Sequence, residues 1–267
     1  MGLSHVLAAI AAATAPAPVA GSTYLAAGDS MTAPFQQVET YPARVATDLR
    51  RRQPRLRVRR VGCPGITAAQ VVRGGGPCAY AAGSQLATAV ADLRARRGKV
   101  DLVTLTVGAN DVQDCVAQGD TACLRERLPA VVAEVRTIAR RLRAAAGRGA
   151  ALVATTYHDP FLGYWVQGRR DEARASVPVV LAFDRALEKA YRAEGWRVAD
   201  VALDFRVAEF QMTGGLGGTA VPLNVEMTCR LTRACPADPA AFDVHPNARG
   251  FTRIARLVTW ERGVARR

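Results

Sequence analysis

The sequence predicts an α/β protein, a three-layer α/β/α sandwich built on a parallel sheet of about five strands. Short β-branched runs alternate with longer amphipathic runs from residue 23 to the end of the chain. The segments between successive strand-like runs have the length of helical crossovers, which parallel pairing requires. The 267 residues show no internal repeat and no linker, so residues 21–267 are expected to form one domain. In sheets of this kind, sites form at the carboxyl ends of the strands.

The elements follow in order. Residues 23–27 read as a buried first strand that stops at Gly28, and residues 41–52 have helical spacing. Residues 56–61 read as a second strand, residues 86–97 as a helix whose start falls at Ser84, and residues 101–107 (D-L-V-T-L-T-V) as the strongest strand. A long amphipathic helix is predicted over 125–146, with Leu128, Val131, Val132, Val135, Ile138, Ala139 and Leu142 on one stripe. Then come a strand at 150–156, a helix at 177–194, a strand at 196–201 and a closing helix at 247–262. Residues 202–242 read as a long irregular stretch, in which G-G-L-G-G at 214–218 is either a flap over a site or a loose surface loop.

The formal net charge is +13, carried almost wholly by arginine, since Lys99 and Lys189 are the only lysines. The plain reading is arginine spread over solvated helix faces. The runs at 50–52 and 55–60 are too short for a nucleic-acid arm, so no nucleic-acid partner is expected. Peripheral contact with an anionic membrane or wall polymer stays open. Residues 6–13 are apolar and residues 14–21 are small and proline-punctuated, a pattern like a secretory signal peptide cleaved after Ala20. The leader carries His5 but no Lys or Arg, and a disordered Ala/Pro tail is the alternative. No run reaches the roughly 18 apolar residues of a transmembrane helix.

Six cysteines in a chain read as exported suggest disulfides. Fifteen pairings are possible, and the local one is expected: Cys63–Cys78, Cys115–Cys123 and Cys229–Cys235. The spacings are wrong for zinc, so neither a metal nor a cofactor is expected. The protein is expected to be a monomer.

Three short segments carry chemistry. Gly28-Asp29-Ser30 follows the first strand and places a serine at a strand-to-helix turn, where helix amides would face whatever Ser30 attacks. Alone, it reads equally as a helix cap. Gly108-Ala109-Asn110-Asp111 follows the strongest strand, where Asn and Asp are also ordinary turn residues. Asp243-Val244-His245-Pro246-Asn247 precedes the last helix, and His245 and His158 are the histidines outside the leader able to act as a base near neutral pH. A G-x-S-x-G elbow is absent, which disfavours the α/β-hydrolase fold.

Together with Gly65-Ile66-Thr67, these blocks stand in the order of the SGNH hydrolases, also called GDSL-like lipases and esterases, which the sequence resembles over its whole mature length. Residues 62–67 and 159–162 resemble the exported actinobacterial branch. The resemblance implies a flavodoxin-like sheet, a secreted enzyme cleaving carboxylic esters, Ser30 as nucleophile and His245 as base. It also implies an oxyanion hole from the amides of Ser30 and Gly65 and the side chain of Asn110. Gly65 would lack a side chain so that its amide can approach closely. One departure stands out. The family places Asp three before His, where this chain has Phe242, and Asp243 lies two before His245. Either Asp243 orients the imidazole, or the Phe242 carbonyl does and the enzyme is a dyad. His158, Asp159, Phe161 and Trp165 follow a strand end and are candidates for the substrate pocket, which lipid or short acyl esters would fill. The same residues also suit carbohydrate deacetylation, thioester cleavage or acyl transfer. A module that only binds an anionic surface is a further alternative.

Overall fold

In the computed structural model, which describes residues 22–33 and 39–264, every strand of the main sheet is parallel. The chain order is β1 (Thr23–Gly28), α1 (Tyr41–Arg50), β2 (Arg57–Arg60), α2 (Ala68–Arg73), α3 (Gln85–Ala95), β3 (Val100–Thr106), α4 (Ala109–Ala117) and α5 (Thr121–Ala146). There follow β4 (Ala151–Thr155), a 3-10 helix (Pro160–Gln167), α6 (Arg170–Ala193), β5 (Arg197–Ala199) and α7 (Val201–Asp204). The chain then forms β6 (Met212–Leu216), β7 (Thr219–Pro222), α8 (Leu223–Leu231), a short 3-10 turn (Pro239–Ala241) and α9 (Ala248–Val264). The signal peptide expected over residues 1–20 lies outside the described residues.

The sheet order is β2-β1-β3-β4-β5, so the five-strand three-layer α/β fold is as predicted. Every residue of β1, β3 and β4 is buried, as a sheet covered on both faces demands. Helices α1 and α9 pack together on one side, and α3, α5 and α6 form the opposite layer. Strand order reverses between β1 and β3, which opens the crevice where such sheets bind ligands.

Three readings of the sequence change. The helix predicted over 177–194 begins earlier, at Arg170, and Pro178 sits within it. Pro178 and Arg174, whose carbonyl the proline leaves unbonded, both face solvent, while Ala173, Ser176 and Val177 are buried. The stretch 202–242 is not irregular but holds a hairpin and α8. The G-G-L-G-G run lies in β6 and its turn, where Gly217 and Gly218 have φ of +56° and +83°. It is therefore neither a loose loop nor a flap: Gly215 packs against the Glu226 carboxylate of α8. Finally, Ser30 begins no helix among the described residues. A single turn follows β1, with Thr32 and Ala33 N–H donating to the Asp29 carbonyl.

All six cysteines are paired as expected, Cys63–Cys78, Cys115–Cys123 and Cys229–Cys235. Each of these bridges pins a segment that reaches the crevice: the loop after β2, α4 and the end of α8.

Candidate active site

Strand β1 ends where a side chain cannot fit. Gly28 has φ +133°, and a Cβ there would lie 1.9 Å from the Thr106 carbonyl oxygen of β3. Gln85 clamps the same peptide, accepting from Gly28 N–H at 2.8 Å and donating to its carbonyl at 2.9 Å. The next residue, Asp29, is buried. It accepts from Met31 N–H at 2.9 Å and from the Tyr157 hydroxyl at 2.5 Å. Burial pushes its carboxyl up to about 6. Asp29 thus shapes the turn, and Ser30 projects from it partly exposed.

The loop after β2 runs beside this turn, with Cys63 N–H donating to the Gly28 carbonyl at 3.0 Å. Gly65 has φ +75°, but a Cβ there would meet only Pro77, at 3.9 Å. The positive φ by itself favours glycine at this position. Thr67 caps α2 in a reciprocal box with Gln70. The first turn of α4 is tied to this loop: Asn110 Nδ2 donates to the Ile66 carbonyl at 2.9 Å, and Asp111 accepts from Ala68 N–H at 2.9 Å. That bond fixes the Asn110 amide and leaves its second N–H free to face the cavity.

The third segment comes from the other end of the chain. His245 Nε2 lies 2.8 Å from Ser30 Oγ, across 215 residues. Its Nδ1 lies 2.5 Å from Asp243 Oδ1, and the same oxygen accepts from the His245 backbone N–H at 2.9 Å. This turn, closed by the Asp side chain on the amide two residues on, explains how an aspartate two before the histidine reaches its ring. A carboxylate at Nδ1 requires the proton there, so Nε2 is the acceptor for the Ser30 hydroxyl. The Arg233 guanidinium forms an ion pair with the Asp243 carboxylate, and the Arg233 backbone N–H donates to the His245 carbonyl at 3.0 Å. Burial holds the His245 pKa below the ordinary value of 6.5, the bond to Asp243 opposes this, and the Arg233 charge adds to the lowering.

His158 has a different place from a simple lining residue. Its Nε2–H donates to the Val244 carbonyl at 2.8 Å, bracing the peptide between Asp243 and His245. Burial pushes its pKa down to about 4, so it stays neutral beside His245.

Ser30, Gly65, Asn110 and His245 meet in one cavity of about 280 Å³, whose apolar wall includes Val112, Val116, Val180 and Phe183. His158 and Phe161 line it as well. Trp165 does not. Its ring is buried under the guanidiniums of Arg170 and Arg174, with centroid distances of 5.5 and 4.9 Å. Asp159 is also structural: it caps the 3-10 helix at Phe161 N–H and accepts from Ser176 Oγ at 2.6 Å. Outside the cavity, an open groove of about 1020 Å³ passes Tyr164, Arg233, Phe242 and His245. Sequence reasoning missed Gln85, Asp111 and Tyr157, whose partners lie 43 to 128 residues away.

The model of the GDSL-like lipase/acylhydrolase family matches residues 26–253. No curated protein matches the sequence. Among solved structures, the chain is similar to a lipase from a goat rumen metagenome (TM-score 0.57, 14% identity, covering 90% of this chain and 97% of that one). It is also similar to an extracellular lipase from Streptomyces rimosus (0.53, 19%, 88% and 99%) and to a variant of an acetyl-xylooligosaccharide esterase from Geobacillus stearothermophilus (0.53, 20%, 91% and 96%). At these identities the likeness is one of fold.

Proposed function

The chain belongs to the GDSL-like lipase/acylhydrolase family, and from that premise we propose that it hydrolyses carboxylic esters through an acyl-enzyme on Ser30. The observation that carries this reading is the continuous chain from Ser30 Oγ to His245 Nε2 (2.8 Å) and from Nδ1 to Asp243 (2.5 Å).

Ser30 Oγ attacks the ester carbonyl carbon as its proton passes to His245 Nε2. The carbonyl oxygen becomes an oxyanion, held by the Ser30 and Gly65 amides and the free N–H of Asn110. The tetrahedral centre collapses, the C–O bond to the alcohol breaks, and His245 returns the proton to the departing oxygen. Water then attacks the acyl carbon as its proton passes to His245; the acyl–Ser30 bond breaks, His245 returns the proton to Ser30 Oγ, and the acid is released. Asp243 stabilises the imidazolium formed in each half and holds the tautomer. A cavity of about 280 Å³, at about 30 Å³ per water-sized group, suits an acyl group of roughly nine heavy atoms or fewer. The open groove beside it suits the alcohol. The residues of this scheme need no cofactor.

One feature favours a second reading, deacetylation of a carbohydrate: the groove is far wider than the cavity and borders the clustered rings of Phe161, Tyr164 and Phe242, 5.1–6.0 Å apart. Three disulfides favour an exported protein, and no helix among the described residues is long and apolar enough to cross a membrane.

The test is hydrolysis of p-nitrophenyl esters from acetate to palmitate by wild type and Ser30→Ala, purified under oxidising conditions. The proposal predicts Ser30-dependent turnover that falls at long chains. Turnover only on acetylated sugars selects deacetylation, product formation only with a sugar acceptor selects acyl transfer, and no Ser30-dependent turnover on any of these refutes the enzyme reading.

A further inference from the structure

At the opposite edge of the sheet, where helices end and strands begin, the loops α3–β3, α5–β4 and α6–β5 enclose a second concavity. It is a cleft of about 570 Å³ lined by Arg97, Arg140, Arg143, Arg148 and Arg197. Arginines at helix carboxyl ends offset the helix dipole, and that alone would leave them spread over the surface. Here two glycines gather them. Gly195 has φ +73°, and a Cβ on it would lie 1.5 Å from Arg143 Nη1, so the guanidinium lies across the glycine and donates to the Glu194 carbonyl at 2.9 Å. Gly147, φ +85°, lies under the Arg97 side chain, 3.6 Å from where a Cβ would stand to Arg97 Cγ.

The positive charge of the cleft is largely uncompensated. The Glu194 carboxylate pairs with Arg136 and Arg140. Among the described residues, Arg97, Arg148 and Arg197 take part in no ion pair. A neighbouring cleft of about 600 Å³ shares Arg97, Gly147 and Arg148 and adds Lys99. The acid that lines it, Asp101, is paired with Arg262. A concave surface of one sign focuses its potential.

We propose that this cleft is a binding site for a linear phosphodiester polymer, separate from the catalytic cavity. The guanidinium fork matches pairs of phosphate oxygens and is weakly hydrated, so it releases water readily to such groups. Two adjoining clefts that share Arg97, Gly147 and Arg148 offer a path for a strand, whereas a flat bilayer cannot enter them. None of the exposed large apolar side chains (Val166, Leu203, Phe210, Met212, Trp260) lines either cleft to insert into lipid. A protein held by this edge turns its catalytic mouth, at the carboxyl ends of the strands, away from the polymer.

The test is fluorescence anisotropy with a labelled poly(glycerol phosphate) chain, beginning near about 50 mM salt. Wild type and Ser30→Ala bind alike, with log Kd rising linearly in log salt concentration. The triple variant Arg97→Ala, Arg148→Ala, Arg197→Ala, all exposed positions, loses at least about tenfold in affinity and about one unit of salt slope per arginine. Its melting temperature and its rate of ester hydrolysis are unchanged. The control triple Arg50→Ala, Arg51→Ala, Arg52→Ala removes the same charge from the end of α1 and loses less than about threefold. Equal losses in the two triples, or no binding by wild type, overturn the site. Tighter binding to phosphatidylglycerol–phosphatidylcholine vesicles than to the polymer assigns the surface to a bilayer and overturns the assignment. Equal binding to polygalacturonate overturns phosphate recognition.

Discussion

Replacing Asp243 by Asn keeps the size of the side chain and removes its charge. In the structure one oxygen, Oδ1, serves both His245 Nδ1 at 2.5 Å and the His245 amide at 2.9 Å. An asparagine oxygen can keep the amide bond, but it no longer stabilises the imidazolium that forms as Ser30 loses its proton. Removing a triad acid costs about 10⁴ in turnover elsewhere. Here Arg233 shares the carboxylate and dilutes its effect on the ring, so the loss in kcat/KM is expected at about 10³–10⁴, or about 4–5.5 kcal/mol at 1.36 kcal/mol per decade. The pH profile carries a second signature. In the proposed mechanism His245 works as a base when neutral, and its pKa lies below 6.5 because burial outweighs Asp243. Taking Asp243 away removes the influences that raise that pKa, so the acid limb of the profile moves to still lower pH while the plateau collapses. The assay is kcat/KM on a short p-nitrophenyl ester across the acid range. Activity within about tenfold of wild type, with the acid limb unmoved, would refute the role of Asp243 and leave the Phe242 carbonyl as the orienting group.

Other consequences are as direct. Asn110→Ala removes an oxyanion donor and is expected to lower kcat by about 10²–10³ with KM little changed; steady-state kinetics that show a KM effect alone would contradict this. Gly28→Ala drives a Cβ to 1.9 Å from the Thr106 carbonyl at φ +133°, a clash expected to cost about 3 kcal/mol or more and to lower the melting temperature by roughly 6–12 °C. Calorimetry showing a wild-type melt would remove the steric argument. Asp159 is buried with its pKa raised from 3.8 to about 7. The unfolded chain therefore loses this proton first as pH rises, and stability declines between about pH 4 and 7 and then levels off. Asp159→Asn carries no such proton, so it flattens the decline and is more stable than wild type at about pH 8, as denaturant midpoints at two pH values would show.

Strands β1, β3 and β4 were legible as short, wholly buried apolar or β-branched runs, β3 along all seven residues, whereas β2 (R-V-R-R) is a largely exposed edge strand inside the run predicted at 56–61. Helix α5 was legible from its 3.6-residue stripe, although Leu128 and Val132 prove only half-buried. Helix α6 runs from Arg170, seven residues before the predicted start, because its first turns are dominated by charged residues, with only Ala173, Ser176 and Val177 buried. The hairpin β6–β7 left a signal that was passed over, the Gly217-Gly218 pair between two extended runs. At the site, Ser30 and Asn110 were visible as blocks at strand ends and His245 as a block before the last helix. The supports were not: Gln85 on Gly28, Tyr157 on Asp29 and His158 on Val244 are long-range pairings with no local pattern. The role of Asp243 needed geometry, since only the turn it closes on its own backbone shows how a spacing of two reaches the ring.

The proposed mechanism requires Ser30 to form the covalent acyl intermediate with His245 as its base. Its most direct test is labelling of the oxidised protein with a fluorophosphonate, followed by intact mass and peptide mapping. The account predicts one equivalent of label on Ser30, none on Ser30→Ala, and slow labelling of His245→Ala. A wild type that stays unlabelled, or a label that maps to another residue, would contradict it.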